Sequence, residues 1–361
     1  MPQLPSVDEL LAGARVVAVP MRVKFRGVLE REVLLLQGPA GWAEFGPFTE
    51  YDDGESSRWL RAAIEAGWEG FPAPLRDSIP VNATVPAVPA DRVPEVLAAF
   101  GESAPRDGNA PVRIGAVKVK VAERGQTLAE DVARVAAVRA ALPDAALRVD
   151  ANGGWSQDQA MDALTRLAGF GLEYAEQPVA TIDGLAAVRR RLAERGIPLL
   201  IAADESVRRE TDPLAVARAG AADLIVVKVA PLGGVRRALD IVAQAGLPAV
   251  VSSALDTSIG IRAGLALAAA LPELPYACGL GTVSLMAGDV VRGSLVAEAG
   301  RIGVRDVAAD PELLDRYAAT EDRRDWWLAR LRRCHAALQG FARADLHQTT
   351  DRAAPVTRSC L

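Results

Sequence analysis

From about residue 80 onward the chain alternates short β-branched runs with amphipathic helical stretches, and this rhythm restricts the fold more than any other feature. The β-like runs fall at 81–85, 114–120, 147–150, 172–176, 199–203, 224–228, 249–252 and 276–279. Between them lie Ala-, Leu- and Arg-rich segments such as 128–142, 156–170, 182–195 and 235–245, where apolar residues recur at helical spacing. Glycine and proline punctuate the joints, at Gly171, at Gly196 to Pro198 and at Gly246 to Pro248. Alternating strands and helices imply parallel β/α units. Eight strands and seven well-marked helices predict an α/β fold, a closed (β/α) barrel of the TIM type. An open doubly wound sheet is the alternative, but no glycine-rich phosphate fingerprint follows an early strand.

Residues 1–78 have a different texture. Strand character over 16–36, a strand and loop over 41–48 and a helix over 56–66 predict a small α+β domain. The barrel is expected over 79–304. A C-terminal segment over 305–345 is expected to be helical around 325–338, with Trp326-Trp327 as an apolar anchor. Residues 346–361 are expected to form a disordered tail.

Acids and lysines sit at the ends of successive strands. Lys120, Asp150, Glu176, Asp204 and Lys228 are separated by 30, 26, 28 and 24 residues, each about one β/α unit. In a barrel this brings all five to the C-terminal face, where barrel active sites are built. The chain has four lysines among 41 basic residues, so a lysine that persists at a strand end marks a place where arginine would fail. Arginine stays protonated, whereas a buried lysine can give up its proton and act as a base. Both histidines lie near the C-terminus, at His335 and His347, which argues against a histidine metal site or a Ser-His pair. Three carboxylates without histidine make a hard-oxygen site suited to Mg²⁺ or Mn²⁺. A carboxylate substrate held there would place its α-carbon between Lys120 and Lys228. One lysine would take the α-proton and the other would stabilise the anion. Lys118 shares the strand face of Lys120 one layer deeper. It reads either as a cation that favours the neutral form of Lys120 or as a buried ion-pair partner.

The series Lys118-Val119-Lys120, Asp150, Glu176, Asp204 and Lys228 resembles that of the enolase superfamily, in its muconate-lactonizing-enzyme subgroup. The likeness covers nearly the whole chain. It implies a (β/α)7β barrel with an N-terminal capping domain, and Mg²⁺ held by Asp150, Glu176 and Asp204. Phe25-Arg26-Gly27, the stretch from Gly41 to Phe48, and the run from Leu147 to Asn152 are similar to the o-succinylbenzoate synthase family. That likeness implies a dehydration in menaquinone biosynthesis, with Lys120 removing the α-proton and Lys228 stabilising an enediolate. N-acylamino-acid racemases and cycloisomerases of the subgroup need the same residues and remain rivals, as does a metal-binding barrel without activity. Dipeptide epimerases carry acids on the last strand, and residues 276–282 have none.

Ser252, Ser253 and Gly279 stand at strand ends facing the same mouth and could bind substrate. Arg148 and Asn152 flank Asp150 and could orient it. The expected partner is a small carboxylate. With net charge −5 and no basic block, nucleic acid is not expected. The longest apolar stretch, 263–271, is too short to cross a membrane. Three cysteines without CxxC spacing (Cys278, Cys334, Cys360) read as free thiols of a cytoplasmic protein.

Overall fold

A computed structural model describes residues 4–25, 27–101, 114–207 and 212–351. Helix α1 (Val7–Ala12) opens with a capping box, Ser6 and Glu9 satisfying each other's backbone N–H groups. Three antiparallel strands follow: β1 (Arg15–Phe25), β2 (Val28–Gly38) and β3 (Gly41–Phe45). Helix α2 (Asp53–Ile64) is capped by Asp52 and continues as a wider π-helical turn over Glu65–Glu69. These elements form the cap. The turn stops at Gly70, whose positive φ of 72° suits a residue without a side chain.

The barrel follows. Strand β4 (Ser78–Pro80) pairs with a late strand, and β5 (Ala83–Val85) is the first stave. Then come α3 (Val93–Gly101), β6 (Ala116–Lys120), α4 (Leu128–Ala141) and β7 (Ala146–Asp150). Next are α5 (Gln157–Leu167), β8 (Leu172–Glu176), α6 (Ile182–Glu194), β9 (Leu200–Ala203) and α7 (Asp212–Arg218). The series ends with β10 (Leu224–Val227), α8 (Val229–Leu232), α9 (Val235–Ala245), β11 (Ala249–Val251) and α10 (Ser258–Ala270). Strands β5 to β11 lie side by side in chain order, all parallel. Residues 278–279 close the ring, bridging in parallel to Val81 on one side and Ser252 on the other. The expected eighth strand is thus present only as two bridges. Its backbone is still used: Asn82 N donates to Cys278 O, and Gly279 N donates to Val251 O. The barrel's interior is plugged by Tyr174, Ala202, Leu224, Val226 and Val250, so it is a packed core rather than a pore.

After the barrel the chain returns to the cap through β12 (Arg301–Gly303), which pairs with β4, α11 (Pro311–Arg316) and α12 (Glu321–Asp351). Trp327 is fully buried against the edge of Phe45, and its indole N–H donates to Glu32 Oε2 at 2.8 Å. Buried Arg330 donates to the carbonyls of Pro47, Phe48 and Tyr51 and to Ser56 Oγ, at 2.7–3.2 Å. The last helix therefore holds the loop that follows β3. Helix α12 runs through 346–351, the start of the stretch expected to be a tail; 352–361, with Cys360, lie outside the described residues, as does Arg26. Among the described residues no helix is long and apolar enough to cross a membrane.

The cap is fastened to the barrel by polar side chains. Glu44 Oε2, on β3, accepts from Thr257 N at 3.0 Å, Thr257 Oγ1 at 2.5 Å and Gly260 N at 3.2 Å, at the start of α10. Glu65 accepts from Val235 N, and from Arg236 N at 3.1 Å, at the start of α9. Gly234 stands at the N-cap of α9 and offers no side chain to cap it. The first N–H groups of a helix lack internal partners and carry its positive end, so a carboxylate there stabilises by about 1 kcal/mol. In the other direction, Arg262 of α10 donates to Trp42 O and Ala66 O in the cap.

Candidate active site

Strand order and register assemble the site. Lys120 pairs across to Asp150, and Asp150 to Glu176, each at the C-terminal end of its strand. Asp204 and Lys228 come one residue after β9 and β10. One carboxylate oxygen from each of Asp150, Glu176 and Asp204 lies within 4.8 Å of the others, and all three residues are buried. The donors are hard, singly contributed and converging. This fits a divalent cation with oxygen preference.

Every one of these carboxylates is paired with a lysine. Lys118 Nζ donates to both oxygens of Glu176, at 3.0 and 3.1 Å, and lies 3.7 Å from Asp150 Oδ2. Lys120 Nζ donates to Asp150 Oδ2 at 2.5 Å and to Asn152 Oδ1 at 2.8 Å, and stands 5.3 Å above the Phe25 ring. Lys228 Nζ donates to Asp204 Oδ1. The geometry of Lys118 is that of an ion-pair partner.

Burial of like charges splits the acids. Burial pushes Glu176 up to about 8, with Asp150 adding to the rise and Lys118 opposing it. Burial would also raise Asp150, but Lys120 and Lys118 outweigh it and hold that carboxyl well below the usual range. Asp204 is lowered in the same way, its burial outweighed by Lys228. For Lys118, burial works downward, but Glu176 and Asp150 prevail and raise it.

Left-handed residues shape the mouth, Asn152 and Gln177 among them. Asn152 has φ 46°, and its backbone N donates to Asp150 Oδ1 at 2.9 Å. Gln177 has φ 39°; its Oε1 accepts from Asp204 N and Ser206 N, and its Nε2 donates to Val179 O and Ser206 Oγ. Such backbone costs about 1–3 kcal/mol and persists where surroundings enforce it, often at functional sites. Gln177 thus fixes the turn that presents Asp204.

Ser252, Ser253 and Gly279 line the same pocket as Lys120 and Lys228. Ser253 Oγ is 3.0 Å from Gly279 O and 2.7 Å from Thr282 Oγ1. Arg148 does not reach the carboxylate ring. Two residues before Asp150 it points inward one layer lower, where it pairs with Glu173 at 2.6 Å and donates to Asn82 Oδ1 and Ala277 O. Sequence reasoning missed Gln177, which holds the turn after β9, and also Thr84, Thr282 and the cap's Phe25 and Phe48, which complete the pocket wall. The alternation of Val23 and Phe25 in β1 was legible, but not which strand end would overhang the barrel.

Comparison with known proteins gives a consistent picture. Residues 99–309 match the family described as enolase C-terminal domain-like, and residues 16–67 the enolase N-terminal domain-like family. An o-succinylbenzoate synthase of Mycolicibacterium smegmatis is 53% identical over 336 residues, covering 93% of this chain and 99% of that protein. Those of Mycobacterium leprae and Mycobacterium tuberculosis are 52% and 49% identical, over 93% and 94% of this chain and 95% and 98% of theirs. Among solved structures, a muconate lactonizing enzyme from Pseudomonas fluorescens superposes with a TM-score of 0.71 at 19% identity, covering 85% of this chain and 98% of that one. A 2-chloromuconate cycloisomerase from Rhodococcus opacus gives 0.70 at 24%, with the same coverage. At these identities the structural likeness concerns the fold.

Proposed function

The chain belongs to the enolase superfamily, and from that premise we propose that it is a hydro-lyase, an o-succinylbenzoate synthase. It would remove water from 2-succinyl-6-hydroxy-2,4-cyclohexadiene-1-carboxylate to give o-succinylbenzoate, in menaquinone biosynthesis. The observation that carries this reading is the near full-length identity of about half to synthases of that name.

The residues at the barrel mouth suit the chemistry. Asp150, Glu176 and Asp204 would hold the divalent ion, taken here to be Mg²⁺, with Mn²⁺ as its substitute. When bound, the ion would supply positive charge for the substrate carboxylate and for the negative charge that grows as the α-proton leaves. Lys120 takes that proton and can return it to the departing hydroxyl. Asn152 Oδ1, 2.8 Å from Lys120 Nζ, keeps the amine aimed. Lys228, on the far side of the acids, offers its ammonium to the developing anion. Lys118 balances and orients Glu176. Phe25 and Phe48 roof the pocket against bulk solvent, while Ser252, Ser253 and Gly279 offer polar contacts to the substrate's tail. Aromatisation of the ring drives the reaction forward.

The test is direct. Purified protein with Mg²⁺ should convert the cyclohexadiene substrate, followed by its ultraviolet absorbance, and EDTA should stop it. A folded, metal-binding protein that leaves this substrate untouched would exclude the assignment and favour α-proton exchange on N-acylamino acids instead.

A further inference from the structure

Behind Lys228 lies a second cavity, between the cap and the barrel. Lys228, Ser252 and Ala254 line both it and the reaction pocket, so the two share a wall. The second cavity is also lined by Glu44, Trp59 and Asp256, and the rest of its wall is apolar and mostly small. About 30 Å³ of it is open to the centre of a water molecule.

Two polar atoms from its wall residues are sealed from solvent and have no hydrogen-bond partner in the protein: Trp59 Nε1 and Glu44 Oε1. Trp59 is only 2% exposed. An indole N–H is solely a donor, whereas a carboxyl oxygen accepts when ionised and donates when it carries the proton; water, which does both, meets the pair in either state. Leaving either buried and unmet is costly. A cavity holds a water once about 10–15 Å³ is open to its centre, so this one has room for about two. An apolar cavity of the same size would stay dry; one with two stranded polar atoms in its wall residues would not.

We propose that this cavity is a permanent internal hydration site, in which a short file of water joins Trp59 Nε1 of the cap to Glu44 Oε1 and reaches the reaction pocket beside Lys228 and Ser252. The water forms part of the back wall that the substrate meets. If the proposed dehydration holds, one water is made per turnover in a pocket roofed by the cap, and this chamber gives it a place to exchange into. That last point rests on the proposed reaction; the hydration itself does not.

The experiment uses the intact protein without substrate. A high-resolution crystal structure should show ordered water within hydrogen-bond distance of Trp59 Nε1 and of Glu44 Oε1. In solution, protein labelled with ¹⁵N-tryptophan has six indole resonances, one for each tryptophan. Trp59→Phe identifies its own by removing it. That indole proton should show direct cross-relaxation with water. A cavity without density, or a Trp59 indole proton with no contact to water, overturns the proposal. Because neither readout needs turnover, failure here leaves the synthase assignment untouched, and failure of the synthase assay leaves this site untouched.

Discussion

The carboxylate of Glu65, in the cap, stands where a side chain at Gly234, in the barrel, would have to stand: a β-carbon built on Gly234 falls 2.2 Å from Glu65 Oε2. Gly234 also has φ 131°, a conformation that L side chains rarely adopt. The closeness has a purpose, since Glu65 is the cap of α9, which begins at the next residue. Six residues earlier stands Lys228. Gly234→Ala should therefore lose both relaxed backbone and helix cap. The expected loss is about 3 kcal/mol in urea unfolding. Glu65→Ala should lose about 1–2 kcal/mol and lower kcat more than it raises KM, because it loosens the loop carrying Lys228. Equal stability for Gly234→Ala and the parent would contradict the fit between the two residues.

Lys120→Ala should lower kcat by about 10²–10⁴-fold, the usual contribution of a positioned general base. Metal binding by calorimetry should persist, because the three acids remain. Full turnover in this variant would remove Lys120 from its proposed role. Lys120→Arg should fail similarly, as a guanidinium keeps its proton.

Glu176 serves two partners, the metal position and the buried ammonium of Lys118. Glu176→Gln should abolish Mg²⁺-dependent activity and, above about pH 8 where Glu176 is ionised, also destabilise the metal-free protein, by about 1–3 kcal/mol, since Lys118 then keeps only the longer contact to Asp150, 3.7 Å away. Lys118→Met combined with Glu176→Gln should recover much of that stability without recovering activity. A single variant as stable as the parent would show that Lys118 finds another counter-ion.

Glu44 predicts a pH dependence of stability. Its burial, with Asp256 beside it, pushes its carboxyl up to about 8, while Arg31 and the Thr257 donors pull the other way. The folded value lies above the ordinary 4.5, so the folded state holds the proton more tightly than the unfolded chain. Its stabilising share is complete below about 4.5 and is lost as pH rises through about 8. Glu44→Gln, which cannot titrate, should narrow the fall in unfolding free energy between pH 5 and pH 9, on the order of those limits. Parallel pH profiles for the two proteins would mean that the donors of Thr257 and Gly260 keep Glu44 ionised.

Much of this molecule can be read from its residues, for a physical reason. In a parallel barrel each strand end is also a site position, so Asp150, Glu176 and Asp204 recur at the period of the β/α unit. The eighth stave was legible from 276–279, although it pairs through only two bridges. Arg148 was placed too near the chemistry, because residues two apart share a face but differ in depth by about 6.6 Å. Glu44 and Glu65 could not be read as caps at all. A helix signal lies within a few residues of the helix, and their partners are 213 and 170 residues away. Gln177 carried a faint signal, since a polar residue right after a strand-end ligand is well placed to steer its neighbour.

The crossing of side chains at the seam also bears on how such proteins can be recombined. Cap and barrel look like separable modules, one shaping the pocket and the other bearing the lysines. Yet the cap brings acids to two barrel helices, and the barrel's Arg262 reaches back for two cap carbonyls. A cap grafted from another member would carry its pocket walls with it. It would seat only if it also brought a carboxylate for α10 and another for the Gly233-Gly234 turn. Chimeras that swap the whole cap together with 228–236 and 254–262 should assemble where bare cap exchanges do not.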